Sequence, residues 1–524
     1  MTNKVKQTFI YLLTITWLFS SIAHANSNGL SSKDIDQLVA TIMADYHVPG
    51  IAVGVIQNGK IIHAQGYGVR NINKKEIINT ETLFSIASTG KSFTAVGLAL
   101  LVDEGKINWN DKVIDHISNF RLYDPWVTRE FTILDLLIHN SGLGLGAGDL
   151  MFWPPSSFTR KEIISNLRHL KPVSSFRSEY AYDNLLYIVA GELIAEISGV
   201  SYEEFIDSRI MEPLAMKNCA ANMKSNKNFS NIADPHMYRD GKLHTVIRDV
   251  KVGETFVAAA AGGIQCSVKS ILKWHAMFLS KGRLPNGEIF LSEEQQNFIM
   301  TPHNILPVSP YSKKWYNTNF AAYGLGWNLT DMYGYKVIEH GGTLLGMMSM
   351  NSMVPDLGLG IVVYTNQQSR VARQAIMNSI TEAYLTDSKT NWGHRVDAVI
   401  QEKIEKSKQS TVNMNNLSFS PTRELSRYAG TFRDPWFGDI VISKNNGTLH
   451  FRSVRSKRLA GKMIAYQPDQ FIVRWDDRSL EADAYVKYSS DYNGVPISFT
   501  MKAISPLTDF SFDFHDLNLK RISN

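Results

Sequence analysis

Ser88 and Lys91 stand three residues apart in the segment SIASTGKSFTA, residues 85–95. On a helix, positions i and i+3 share a face, so this spacing sets a hydroxyl beside an amine. A lysine near the positive end of a helix and partly withdrawn from water gives up its proton more easily. The neutral amine can then take the proton of the serine. At the helix start the Ser88 N–H has no helical partner and is free to bind an oxyanion. The same stretch holds Gly90-Lys91-Ser92, the closing triplet of a phosphate-binding loop. That loop needs a glycine five residues before Gly90, where Ser85 stands. The turn that aims backbone N–H groups at phosphates is therefore not encoded.

Four residues with two fixed match by chance, and S-x-x-K occurs again at Ser270–Lys273. That second match lies in the amphipathic stretch SVKSILKWHAMFL and reads as surface decoration. What separates the first match is its company. Tyr182-Asp183-Asn184 offers a phenol that can serve as a second base or proton shuttle if Lys91 lowers its pKa. The Asn184 amide can hold both Lys91 and a substrate carbonyl. His340-Gly341-Gly342-Thr343 is expected at the end of a late strand. Its glycines would let substrate backbone approach the strand edge, and the Thr343 N–H would be a second oxyanion donor. His139-Asn140-Ser141-Gly142 looks like a His/Ser pair but reads as a helix C-cap and packing element. The run Met151–Pro155, MFWPP, either shapes the mouth of a site or packs on the helical region.

The elements that must position these residues follow from periodicity. Residues 31–47 repeat apolar positions at helical spacing (Ile35, Leu38, Val39, Ile42). Two apolar runs then flank Asn58-Gly59, a strong hairpin signal. A helix over 88–104 carries the serine. A mostly helical stretch extends to about residue 280. Strands return at 335–340, 344–354 and 359–366, and a helix at 368–386. Strands at both ends with helices between predict an α+β domain: one antiparallel sheet flanked by helices, with an inserted helical region. Residues 387–421 turn polar and read as a charged helix and linker. Residues 422–524 carry β-rich runs with turn signals at Asn446-Gly447 and Asn493-Gly494, predicting a small all-β domain, barrel or sandwich.

Ordered segments over most of residues 31–385 resemble the serine β-lactamase/penicillin-binding-protein superfamily. They include LFSIASTGKSFTA (83–95), TILDLLIHNSGL (132–143), YAYDNLLYIVAGELIAEISG (180–199), HGGTLLGM (340–347) and VVYTNQ (362–367). The resemblance is to the class C-type branch, with its D-Ala-D-Ala carboxypeptidases, D-aminopeptidases and esterases. The tail looks more loosely like the small β-domains appended to members of that branch. The resemblance implies an acyl-enzyme on Ser88, with Lys91 and Tyr182 as acid/base partners and Asn184 positioning. It implies His340, Gly342 and Thr343 at the substrate and an oxyanion hole from the N–H groups of Ser88 and Thr343. It implies no metal and no cofactor. His340 stands where many members carry a lysine, which weakens a fixed positive charge for a substrate carboxylate. Efficient β-lactam hydrolysis is thus not expected, while esters, amides and D-amino-acid peptides stay open. His340 could instead be structural. The competing function is a non-catalytic protein that holds cell-wall fragments on the same fold; the intact Ser/Lys/Tyr set favours the enzyme.

Composition narrows the field. The 524 residues are 44% hydrophobic and 20% charged, with a formal net charge of +5. That is ordinary for a soluble globular chain of two domains and argues against a dedicated nucleic-acid binder. Residues 1–25 form a separate object: Lys4 and Lys6, an apolar run from Phe9 to Ile22, then Ala23-His24-Ala25. This reads as a signal peptide cut before Asn26, so residues 26–386 form the hydrolase domain of a periplasmic or extracellular protein. The run is too short to span a bilayer, and no stable membrane anchor is expected. The expected partner is a small-molecule or peptide substrate. Cys219 and Cys266 could pair outside the cytoplasm but read here as two separate buried thiols. No CxxC, HExxH or EF-hand spacing makes a case for a metal.

Overall fold

The computed structural model describes residues 29–224, 227, 229–410, 419, 421 and 423–523. The expected signal peptide and much of the linker lie outside the described residues. Helix α1 (Ser32–Asp45) opens on a capping box between Ser31 and Asp34 and buries Ile35, Val39 and Ile42. Strands β1 (Gly50–Gln57) and β2 (Lys60–Gly68) form the expected hairpin. Asn58 and Gly59 both take positive φ, 49° and 76°, as the two-residue turn requires. The central helices are α2 (Lys91–Asp103), α3 (Leu185–Ser198) and α4 (Val268–Leu279). Then come β3 (Asn304–Ile305), β4 (Ala321–Tyr323), β5 (Asn328–Met332), β6 (Tyr335–Leu344), β7 (Met347–Val354) and β8 (Leu359–Thr365). Helices α5 (Arg370–Leu385) and α6 (Trp392–Ser410) follow.

Among the described residues the sheet has eight strands, ordered β2-β1-β8-β7-β6-β5-β4-β3, and its pairs are antiparallel. The first and last strands of the domain lie side by side, second and third from one edge of the sheet, with Ile51 opposite Thr365. This is the arrangement the strand order predicts. Both faces are covered. Ile51, Val53, Val55, Ile361 and Val363 join a core with α1 and α5. Ala52, Ile56, Val362 and Tyr364 join the larger core that contains α2, α3 and α4. Two-sided burial explains why β1 is apolar at nearly every position instead of alternating. Among the described residues no single helix is long and apolar enough to cross a membrane.

The tail closes into an eight-stranded barrel: β9 (Gly430–Asp434), β10 (Gly438–Asn445), β11 (Thr448–Ser453), β12 (Ala460–Gln467), β13 (Gln470–Trp475), β14 (Ala484–Ser490), β15 (Pro496–Ala503) and β16 (Asn518–Ser523). Pairing of β9 with β16 removes the exposed edges a sandwich would keep. Phe432, Phe451, Phe471, Tyr488 and Phe499 are buried and pack on one another. The barrel is docked on the helical region. Arg458 pairs with the buried Asp249 at 2.7 Å, and Asn166 Nδ2 donates to Trp436 O at 2.9 Å.

Three expectations are corrected. Cys219 and Cys266 form a disulfide. They face each other on the short antiparallel strands Cys219–Ala220 and Gln265–Cys266, with Cα atoms 4.1 Å apart. Their separation of 47 residues hid that register. The strand expected to stop at residue 340 runs on to Leu344, so the HGGT run forms its last part and does not follow it. The helix expected over 88–104 begins as a 3₁₀ turn, Ala87–Gly90, and is α-helical only from Lys91.

Candidate active site

The 3₁₀ turn places Ser88. Ala87 just before it has φ +48°, a left-handed conformation that costs of order 1 kcal/mol or more for a residue with a side chain. The strain is held by bonds to Ile86. Its N–H donates to Ile264 O at 3.0 Å, and its carbonyl accepts from Ser349 Oγ at 2.5 Å. Ser349 lies opposite Gly342 in the β6–β7 register. A side chain at Gly342 would put Cβ 2.4 Å from both Ile86 O and Ser349 Oγ. The glycine therefore lets β6 pass against the nucleophile turn. This corrects the expectation that its role is close approach by substrate.

One turn on, Lys91 is fully buried. Its Nζ donates to Ser88 Oγ at 3.2 Å, Asn184 Oδ1 at 2.7 Å and Ala261 O at 2.8 Å. It lies 4.8 Å from the centre of the Tyr182 ring and 5.1 Å from that of Tyr187. Burial lowers its pKa to about 7, against the opposing pull of Asp149 and Asp183. Near neutral pH a substantial share of the amine is thus unprotonated and able to accept the Ser88 proton.

Tyr182 and Asn184 arrive together at the start of α3, where Asp183 Oδ1 accepts from the N–H groups of Leu185 and Leu186 at 2.8 and 3.4 Å. Burial raises the Tyr182 phenol well above its ordinary value, with the Ser88 side chain pulling the other way. No hydrogen bond to the Tyr182 hydroxyl meets normal geometry. The lowered pKa on which a role as second base was conditional is not found, because loss of solvation outweighs the pull of the Ser88 side chain. Tyr182 is a phenol that keeps its proton. His340 is 4% exposed. Its Nδ1 faces Gly341 O at 2.7 Å, an atom that only accepts, so this nitrogen carries the proton. Its Nε2 accepts from the Tyr323 hydroxyl at 3.2 Å. Burial, then Lys91, pushes its pKa to about 3, so the imidazole is neutral.

A cleft of about 1190 Å³ opens over these groups. Ser88, Tyr182, Asn184, His340 and Thr343 line it together. Gly342 lies beneath, against the serine turn. All seven residues singled out in the sequence thus converge. Phe152 and Trp153 both line the cleft and are nearly buried, so the MFWPP run shapes the mouth and packs at once. Two decoys resolve. His139 is buried under the Tyr182 ring at 4.4 Å and accepts from Asp183 N–H, while Ser141 Oγ accepts from Leu143 N–H. At the second S-x-x-K, Ser270 is buried and accepts from Asn218 N–H; Lys273 is exposed and donates to Ala215 O. Ser270 is not the surface decoration expected.

Sequence reasoning missed Asp149, Ser349 and Ser511. Asp149 left one trace: it is the single charged residue between His139 and Arg160. The two serines left none. Among the described residues no three His, Cys, Asp or Glu side chains are grouped to hold a metal ion.

The comparisons agree with this architecture. The beta-lactamase family model matches residues 35–383, and that of a domain of unknown function, DUF3471, matches residues 417–521. Unguisins hydrolase ungD' of Aspergillus campestris is 24% identical over 430 residues, covering 78% of this chain and 77% of the relative. The octameric penicillin-binding protein homologue from Pyrococcus abyssi shares 20% identity at a TM-score of 0.60, over 94% of this chain and 100% of its own. A class C beta-lactamase shares 20% identity at a TM-score of 0.54, over 69% of this chain and 97% of its own. With a match across two thirds of its length and the buried Lys91 beside the partly exposed Ser88 at its centre, the chain belongs to the beta-lactamase family of serine hydrolases.

Proposed function

We propose that the protein is an exported serine hydrolase that opens peptide, amide or ester bonds through an acyl-enzyme on Ser88. Cell-wall-related and D-amino-acid compounds fall within this substrate range. The observation that carries this reading is the buried Lys91 amine 3.2 Å from Ser88 Oγ with a pKa near 7. Neutral Lys91 takes the Ser88 proton as Oγ bonds to the substrate carbonyl carbon. The N–H groups of Ser88 and Thr343 receive the oxyanion. The proton passes from Lys91, by way of the protonated Tyr182 hydroxyl, to the leaving nitrogen or oxygen as its bond to carbon breaks. Water then attacks the ester carbonyl carbon and gives its proton to Lys91, which passes it to Ser88 Oγ as the Oγ–carbon bond breaks and the acid is released.

The neutral His340 supports substrates without a carboxylate at this position, since it holds no fixed charge to grip one. Export is supported by the composition of residues 1–25 and by the disulfide, a bond that persists in oxidising compartments. A panel of p-nitrophenyl esters, D-amino-acid amides, D-Ala-D-Ala peptides and nitrocefin tests the reading, with Ser88→Ala as control. Turnover of esters or amides, slow nitrocefin hydrolysis and a fluorophosphonate adduct mapped to Ser88 are expected. Absence of any adduct on Ser88 sinks the enzyme in favour of a binding protein. The mass of the secreted form checks cleavage before Asn26.

A further inference from the structure

The connection between β15 and β16, residues 504–517, leaves the barrel and lines the cleft with Phe510 and Ser511. It meets the hydrolase domain where Lys91 is held. Asn184 uses both ends of its amide: Oδ1 accepts from Lys91 Nζ at 2.7 Å, and Nδ2 donates to Asp149 Oδ2 at 2.7 Å. The same Asp149 oxygen accepts from Ser511 Oγ at 2.7 Å. Asp513 accepts from the N–H groups of Gly148 and Leu150, at 2.6 and 3.2 Å, and so clamps the backbone on either side of Asp149. Close approach is built in, because a side chain at Gly146 would place Cβ 2.7 Å from the Phe510 ring. Phe510 also sets its edge against Tyr182, with centroids 5.8 Å apart.

An amide can flip by exchanging its oxygen and nitrogen. Here the flip would aim NH2 at an ammonium or amine and O at a carboxyl, losing both bonds. Asp149 forbids it, and apart from Asn184 the Asp149 carboxyl receives its side-chain hydrogen bond from Ser511 of the barrel side, its other oxygen being buried without a partner. We propose that Ser511 and Asp513 of the barrel are positioning residues for acylation of Ser88, fixing Asp149, through it the Asn184 amide, and through that the Lys91 amine. The barrel is then part of the catalytic unit and not an appended module.

Charge follows the same chain. The groups facing Lys91 are Asp149, Asp183, Tyr182, Tyr187, His139 and His340. Asp149 is faced in turn by Asp183 and Asp513. Burial raises the Asp149 carboxyl well above its usual range, while the bonds from Ser511 and Asn184 favour its ionised form. An ionised Asp149 favours protonated Lys91, so neutralising it frees the amine at lower pH.

This rests on the acyl-enzyme reading, and the test separates the two. The full-length chain is assayed for the rate of Ser88 acylation by a fluorophosphonate, for KM and kcat on a p-nitrophenyl ester against pH, and for thermal midpoint. Ser511→Ala is expected to slow acylation about tenfold or more with KM little changed, and Ser511→Thr, which keeps the hydroxyl, to recover most of the rate. Asp149→Asn keeps the shape but can turn either end of its amide to Asn184, so the Asn184 amide is no longer fixed; it is expected to slow acylation about tenfold with KM little changed. Wild-type acylation rate in Ser511→Ala, with only the thermal midpoint lowered, overturns the inference. So does a wild-type acylation rate in Asp149→Asn, which decides the matter if Ser511→Ala fails to fold. A wild-type chain that never acylates Ser88 removes the functional reading itself, a result no Ser511 variant can mimic.

Discussion

The chain writes S-x-x-K twice, and only one copy is a site. Ser88–Lys91 and Ser270–Lys273 have the same spacing near the start of a helix, yet their surroundings differ in every respect that matters. Lys91 is sealed from water with three oxygen acceptors, one of them Ser88 Oγ. Lys273 reaches away to the Ala215 carbonyl at the surface, and Ser270 is occupied by the Asn218 N–H. Ser88 sits three residues before its α-helix begins, in a strained turn braced by Ile264 and Ser349, whereas Ser270 lies inside its own helix. A pattern of residues offers chemistry; desolvation and a second layer of hydrogen bonds turn the offer into a reactive pair.

The contrast breaks most severely at the nucleophile. Ser88→Ala is expected to lower kcat on any accepted ester by about 10⁴-fold or more, measured against a wild-type burst. Lys91→Met should cost on the order of 10³-fold, and the wild-type rate should rise with pH through about 7 as the amine loses its proton. The folded pKa lies below the ordinary lysine value of 10.5, so the unfolded chain binds more protons between the two. The Lys91 contribution to stability therefore rises with pH across that window, from about 7 to about 10.5. Denaturant melts at pH 7 and pH 9 should show less of this rise in Lys91→Met. Gly342→Ala forces Cβ into Ile86 O and Ser349 Oγ and is expected to cost about 10²-fold in acylation rate by displacing the serine turn. An unchanged rate would show that β6 does not brace it. Smallest are the changes at the decoy. Lys273→Met should leave kcat within about twofold, and Ser270→Ala should lower stability by about 1 kcal/mol with activity intact. A large loss of activity from either would erase the distinction between the two motifs.

How much was legible differs between layers. The hairpin at Asn58-Gly59, the late strands and the α+β order were carried by local signals: turn chemistry, apolar runs and periodicity. The short strands β4 and β5 were not, because strands of three and five residues in a glycine-bearing stretch lack a countable period. The seven site residues were legible because each belongs to a short motif whose residue types have few other uses together. Their charge states were not. The condition set for Tyr182, a pKa lowered by Lys91, was not met, and the neutrality of His340 emerged, for one reason: burial is a property of what the rest of the chain lays over a residue.

The sequence by itself determined the candidate serine and its lysine neighbour, the sheet built from both ends of the domain and the β-rich tail, since these depend on residue type and spacing. Tertiary structure alone decided which of the two S-x-x-K copies is sealed, that Cys219 meets Cys266, that Gly342 yields to the serine turn, and that Ser511 reaches Asp149 across 362 residues of chain. Those outcomes are contacts between segments far apart in the chain. No local pattern encodes them, because the free energy that sets them comes from packing and from the water that packing excludes.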